Sequence, residues 1–177
     1  MTQTIMRYKW VFLFLFGDIA IFLWNPNLGA KIFQQTSSSF LEMLGVIPPI
    51  FILVGLLDTW VPREKVVAHL GEESGMRGTS LAVLLGAFAA GPLYGAFPVA
   101  AMMMKKGAGF FNIMVFIGAW ATLKIPMFLF ETQFLGGLFS VTRWVCSLLG
   151  ILLIAYVMDR SLSDSEKQVI YAKYQET

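Results

Sequence analysis

Four apolar segments, each near the length of a membrane-spanning helix, set the strongest limit on how this chain can fold. They cover about residues 8–24, 40–61, 110–130 and 134–158. A helix needs about 20 mostly apolar residues to cross the hydrocarbon core of a bilayer. The composition agrees, because 57% of the 177 residues are hydrophobic, 14% are charged, and the mean hydropathy is +0.70. The sequence therefore predicts an all-α polytopic membrane protein with four transmembrane helices.

The polar stretches divide the rest of the chain. A linker at 62–78 is rich in charges and glycine, and we expect it to lie at the membrane interface. The C-terminal stretch 159–177 is also polar, and Ser163 followed by Glu166 has the spacing of a capping box, which predicts a short aqueous helix. The predicted organisation is a membrane domain at 1–158 and a cytoplasmic tail at 159–177.

The segment 79–104 is apolar but contains residues that interrupt helices, namely Gly91, Pro92, Gly95 and Pro98. Non-helical backbone is tolerated at membrane depth only where protein or a watery cavity satisfies its polar groups. Two interpretations are open: a fifth crossing, or a re-entrant hairpin that enters and leaves by the same face. Length does not decide, because about 26 residues can cross once, and two half-helices of about twelve residues can reach mid-bilayer and return.

The distribution of basic residues favours the hairpin. Of the 13 Lys and Arg residues, Lys124 and Arg143 lie well inside apolar segments, whereas Lys9 lies at the edge of the first one. If 79–104 crosses, the other eleven divide into five and six; if it is re-entrant, ten lie on one face and only Lys31 on the other. The positive-inside rule prefers the second arrangement, so we predict a multi-pass protein of the cell inner membrane with both termini inside. The even division would instead allow both insertions and an antiparallel dimer.

Two stretches carry a resemblance to a known family. "GLLDTWVPREKVVAHLG", followed by the broken segment ending "GAFPVAAMMMKKGAG", resembles the predicted permeases related to organoarsenical efflux permeases. The likeness covers roughly Pro48 to Pro126. It implies a polytopic transporter, often built from two such halves, with a cysteine-containing tip before "PVA". This chain has one half, and Pro92 and Tyr94 stand where the cysteines would, so we expect a homodimer and no thiol-based handling of arsenic.

Asp18, Lys124 and Arg143 lie well inside the predicted spans, where an ionisable residue costs about 2.5–3.5 kcal/mol. Under the predicted threading, Asp18, Lys124 and Arg143 share the outer half of the bilayer. A pair between Asp18 and either cation leaves one positive charge, which suits a small polar or anionic solute. The alternative is a structural ion pair plus one snorkelling side chain. Glu131 is expected at the interface.

These observations together predict a membrane permease subunit that works by alternating access. The predicted substrate-binding residues come from the broken segment and the charged positions: Gly91, Pro92, Tyr94, Gly95, Pro98, Lys124, Arg143 and Asp18. No catalytic residue, metal site or cofactor is expected, and the scattered basic residues give no reason to expect nucleic acid. The expected partners are the lipid bilayer, a second copy of the chain and the solute. The alternative function is a non-transporting scaffold, assembly or lipid-binding protein, in which the glycine-rich segment is a packing seam.

Overall fold

The structure is a computed structural model that describes residues 9–89 and 91–175. Within these ranges the chain is helical and contains no strand, which confirms the all-α prediction. Two single 3₁₀ turns, Glu72–Ser74 and Leu93–Gly95, interrupt the α-helices. The helices are α1 (Lys9–Trp24), α2 (Pro26–Trp60), α3 (Arg63–Leu70), α4 (Gly75–Phe88), α5 (Ala96–Lys105), α6 (Phe110–Thr122), α7 (Ile125–Leu135), α8 (Gly137–Ser161) and α9 (Asp164–Gln175).

Among the described residues, three helical segments are long and apolar enough to cross a membrane, so a multi-pass membrane protein is supported. They are α2, the segment Phe110–Leu135 that comprises α6 and α7, and α8. The predicted number of four is not confirmed, because α1 has 16 residues and a length of about 24 Å, against a hydrocarbon core of about 30 Å. Residue 8, where the first predicted segment starts, and the last two residues of the tail lie outside the described residues.

The described chain divides between Pro48 and Pro49 into two compact units. In the first unit, α2 begins far earlier than the predicted span at 40–61, and the reason is a local cap. The backbone N–H of Leu28 donates to the side-chain oxygen of Asn25 at 3.2 Å, and Pro26 occupies the first helical position, where its missing N–H costs nothing. Once this first turn has formed, each residue added to the helix gains one backbone hydrogen bond, so α2 continues from here into the predicted span.

In the second unit, α6 is the central helix, and α4, α5 and α8 pack against it. Close approach depends on glycine. A Cβ atom at Gly86 of α4 would lie 2.7 Å from the Phe116 carbonyl oxygen of α6, and one at Gly118 would lie 2.8 Å from Ile151 Cγ2 of α8. The α6 residues in this core include Ile113, which is fully buried.

Other element boundaries also differ from the predicted ones. The first helix of the broken segment begins at Gly75, inside the predicted linker, and the predicted span 110–130 is interrupted between α6 and α7. Helix α8 continues to Ser161, inside the predicted tail. The predicted capping box is confirmed: the Ser163 backbone N–H donates to Glu166 Oε2 at 2.8 Å, and the Glu166 N–H donates to Ser163 Oγ at 3.4 Å.

Candidate functional site

The broken segment changes direction between Phe88 and Leu93. Gly91 has a φ of +110°, a conformation that residues with a side chain rarely adopt. Pro92 is extended, with a φ of −72° and a ψ of 161°, and leads into the 3₁₀ turn before α5. The sequence therefore places its glycine and proline where the backbone departs from helical geometry.

The two outer ends of the broken segment lie together. The Gly109 backbone N–H, beyond α5, donates to the Leu70 carbonyl before α4 at 2.7 Å. The Asn112 amide, in the first turn of α6, donates to the Leu70 carbonyl at 3.0 Å and to Ser74 Oγ at 2.9 Å. At the other end of α6, Trp120 Nε1 donates to the Gly91 carbonyl at 3.4 Å. We call the turn at residues 91–95, between α4 and α5, the tip. We call the opposite end, where Leu70 and Gly109 meet, the base.

A second helix break lies beside the tip. Helix α6 ends at Thr122 and α7 begins at Ile125, with Pro126 in its first turn. In a continuous helix Pro126 would face the Thr122 carbonyl, but it has no backbone N–H to donate and its ring clashes with that carbonyl, which explains the break. Side chains of α8 satisfy the carbonyls freed there: Arg143 Nη1 donates to the Thr122 carbonyl at 2.9 Å, and Trp144 Nε1 donates to the Leu123 carbonyl at 3.4 Å.

Lys124 joins the two breaks. It precedes the first residue of α7, and its ammonium donates to the Gly91 carbonyl at the tip. Lys124 is half-buried and Gly91 is exposed. The tip carbonyl, which has no helical partner, is therefore held by one charged donor from the neighbouring break and by Trp120.

Arg143 forms an ion pair that the sequence analysis did not predict. Its Nε lies 2.5 Å from Glu131 Oε2, and Glu131 is only 6% exposed. Arg143 is therefore neutralised by Glu131, whereas Lys124 donates to a carbonyl and keeps its charge, so these three side chains together carry a charge of +1. Asp18 lies exposed on α1 in the first unit and stays a predicted site residue.

The other predicted site residues line the turn into α5. Gly95 is buried, and a Cβ atom there would lie 2.5 Å from Ile50 Cδ1 and 3.5 Å from Trp120 Cζ2. Tyr94 and Pro98 are half-buried. Pro98 is in the first turn of α5, where a backbone N–H is not needed by the helix.

At the base, Lys106 is buried at 7% exposure. Its ammonium donates to the carbonyls of Leu57, Asp58 and Val61 at 3.1, 2.5 and 2.5 Å, and lies 3.2 Å from Asp58 Oδ1. The C-terminal end of α2 therefore meets the base. Sequence reasoning counted Lys106 only as a surface charge, because burial of a lysine at a helix end depends on which helix end approaches it.

The tail also reaches the base. Tyr171 of α9 donates its hydroxyl to the Ala108 carbonyl at 2.7 Å, and burial, with the nearby carboxylates of Glu72 and Asp159, raises the pKa of Tyr171 to about 12. Lys167 lies 2.8 Å from Asp159 Oδ1, and its hydrogen bond to that carboxylate raises the pKa of Lys167. Helices α8 and α9 are therefore joined at this end of the molecule.

Sequence reasoning missed several of these residues. Asn112 and Glu131 are polar residues inside long apolar runs, which is itself a signal of a buried partner. Trp120 and Trp144 carry no such signal, because tryptophan is common in membrane helices for its apolar area alone.

Most of the chain matches the model of one known protein family. The family model ArsP_1, described as a predicted permease, matches residues 29–176. No curated protein and no solved structure gives a significant match.

Proposed function

The chain belongs to the predicted permease family, and on that premise we propose that it moves a small polar or anionic solute across the cell inner membrane. The observation that carries the proposal is the meeting of two helix breaks, with Lys124 bound to the Gly91 carbonyl. Polar main-chain groups at such breaks form the substrate sites of many secondary transporters. The predicted set of tip residues, with Lys124 and Arg143, supplies the site; Asp18 remains a predicted member.

The threading that we propose makes α4 and α5 a re-entrant hairpin. Both of its ends lie at the base, joined by the hydrogen bond from Gly109 to Leu70. At about 21 Å and 15 Å, α4 and α5 are each long enough to reach mid-bilayer. Basic residues cluster in the helix ends and turns at the base, among them Arg63, Lys65, Arg77, Lys105, Lys106, Arg160 and Lys167.

This concentration of positive charge supports a cytoplasmic base and a tip that enters from the cytoplasmic side. In this arrangement α2, the α6–α7 segment and α8 cross the membrane, and α1 is the fourth span. The tail at 159–177 is then cytoplasmic.

We propose a homodimer because the tip is uncovered in a single chain. Gly91 and Thr122 are exposed, and lipid cannot satisfy a carbonyl or solvate a cation there. A second copy would enclose the site, and rocking of the two copies about it would expose it to either face in turn. The strong charge asymmetry favours one orientation of both copies.

The test is transport by the purified full chain in liposomes. We would screen small polar and anionic solutes for uptake, then compare Gly95→Val with Gly55→Val, because a Cβ atom at Gly55 has no neighbour within 4 Å. We expect Gly95→Val to lose most transport while folding and dimerisation are kept, since the new side chain presses on Ile50 and Trp120 at the tip. Loss of assembly in Gly95→Val, with no solute moved by the parent chain, would instead favour the scaffold function.

A further inference from the structure

One nitrogen at the second helix break has no acceptor. Arg143 Nη2 is shielded from solvent and has no hydrogen-bond partner among the described residues, although Arg143 as a whole is 24% exposed. A charged donor left in this state is costly. We propose that Arg143 Nη2 and the Lys124 ammonium bind a small, singly charged oxyanion. This inference rests on the proposed function, whose substrate class it specifies.

The guanidinium is held in place before any ligand arrives. Its Nε is fixed by Glu131, and its Nη1 by the Thr122 carbonyl, two residues before Lys124. The planar group presents its remaining nitrogen in a fixed direction, so little side-chain entropy is lost when an oxyanion binds.

Lys124 can supply a second donor. An ammonium group has three N–H donors, and the Gly91 carbonyl uses one of them. Because Lys124 is half-buried, an incoming oxygen can share its ammonium or displace the Gly91 carbonyl. An oxyanion has at least two oxygens and can therefore accept from both cations.

The backbone adds to the attraction. Lys124 is the N-cap of α7, an 11-residue helix whose positive dipole end faces the break. The first amides of α7 have no partner within the helix, so they favour an anion at the same place.

The local charge sets the valence of the ligand. Lys124, Arg143 and Glu131 sum to +1, so one negative charge gives a neutral complex. A dianion would leave a net negative charge in a region of low dielectric constant. The buried Glu131 therefore acts as a positioning residue for Arg143 and also restricts the site to monoanions.

The test is equilibrium binding to the purified full chain in nanodiscs, followed as saturable thermal stabilisation by sodium acetate, nitrate or sulfate at constant ionic strength. We expect stabilisation by acetate and nitrate and none by sulfate. Lys124→Gln should weaken acetate binding about tenfold or more, since one charge-assisted hydrogen bond is lost. The matched control is Lys105→Gln, an exposed lysine at the base, which should leave binding unchanged.

Glu131→Gln changes the site charge from +1 to +2, and we expect it to admit sulfate. Because Arg143→Gln alone would leave Glu131 without its partner, we would remove both charges in Glu131→Gln/Arg143→Gln, which should fold and bind none of the three anions. The inference is overturned if no oxyanion binds saturably, if Lys124→Gln binds as the parent does, if Lys105→Gln weakens binding equally, or if Glu131→Gln still excludes sulfate.

Binding and transport are measured separately, so their failures can be told apart. If the protein binds acetate at this site but moves no solute in liposomes, the oxyanion site is supported and the proposed transport function is wrong. A chain that moves another solute and binds no oxyanion keeps the function and loses this inference.

Discussion

Replacing Lys106 by methionine should destabilise the second unit more than any other removal of a single lysine at the base. The methionine keeps most of the apolar length and removes the ammonium that reaches the carbonyls of Leu57, Asp58 and Val61. These oxygens lie at and just beyond the C-terminal end of α2, where most carbonyls lack helical partners, although the Leu57 carbonyl also accepts from the Val61 N–H at 3.0 Å. Lys106 is only 7% exposed, so water does not readily replace the lost donor.

The expected loss follows from opposing terms. Each hydrogen bond to a charged group contributes about 1.5–3 kcal/mol, so three contribute about 5–9 kcal/mol. Burial of an ammonium costs several kcal/mol, which the methionine avoids. We therefore expect Lys106→Met to lower the free energy of unfolding by about 2–4 kcal/mol. The Asp58 carboxylate is 53% exposed, so Asp58→Asn should cost no more than about 1 kcal/mol.

The assay is denaturant unfolding of the full chain in mixed micelles, with Lys105→Met as the matched control. Lys105 is exposed, and its replacement should change the free energy of unfolding by less than about 0.5 kcal/mol. Equal effects of Lys106→Met and Lys105→Met would refute the capping argument. An effect of Asp58→Asn as large as that of Lys106→Met would show that the ion pair, and not the carbonyls, is what stabilises the base.

Two further predictions concern other polar groups. Arg143→Met should destabilise the fold by about 3–5 kcal/mol because Glu131 is left buried and unpaired. The double variant Arg143→Met/Glu131→Leu should recover most of that loss in the same unfolding assay. If the losses of the two single variants simply add, Arg143 and Glu131 are not a coupled pair. The Ser163 backbone N–H, and after it the Ser163 hydroxyl, lower the pKa of Glu166, so Ser163→Ala, which removes only the hydroxyl, should raise that pKa part of the way toward its ordinary value. In the parent chain, the stabilisation of α9 by this cap is present above the ordinary carboxyl pKa and is lost as pH falls through the lowered pKa of Glu166. NMR titration measures the pKa of Glu166, and amide exchange measures the stability of α9. A pKa of Glu166 that does not change in Ser163→Ala would contradict the cap.

The sequence predicts local structure well where one residue type decides the backbone. Gly91 and Pro92 mark the first break because one tolerates positive φ and the other lacks an N–H. Ser163 and Glu166 mark the start of α9 for an equally local reason. Pro126 is a similar signal, but a hydropathy window averages over it, so the second break was not predicted.

Partners across helices could not be predicted in the same way. Arg143 pairs with Glu131 only because the chain reverses at Gly136, whose φ of +90° lets α8 fold back along α7. From the sequence alone, a carboxylate close to Arg143 along the chain and one far from it are equally good candidates for its ion-pair partner. The sequence suggested Asp18, and not Glu131, as the partner of Lys124 or Arg143.

Three cations in the second unit share one structural task, which bears on how a transport cycle could operate. Each satisfies carbonyls at a helix end or break: Lys106 at the end of α2, Arg143 at the end of α6, and Lys124 at the hairpin tip. Lys106 has all three donors engaged and is buried, so its release would expose several carbonyls at once. Lys124 donates to one carbonyl and is half-buried, so exchanging the Gly91 carbonyl for a substrate oxygen breaks only one hydrogen bond to the protein. We therefore expect the base to stay fixed while the tip moves, and the tip is where a solute can be gained and lost.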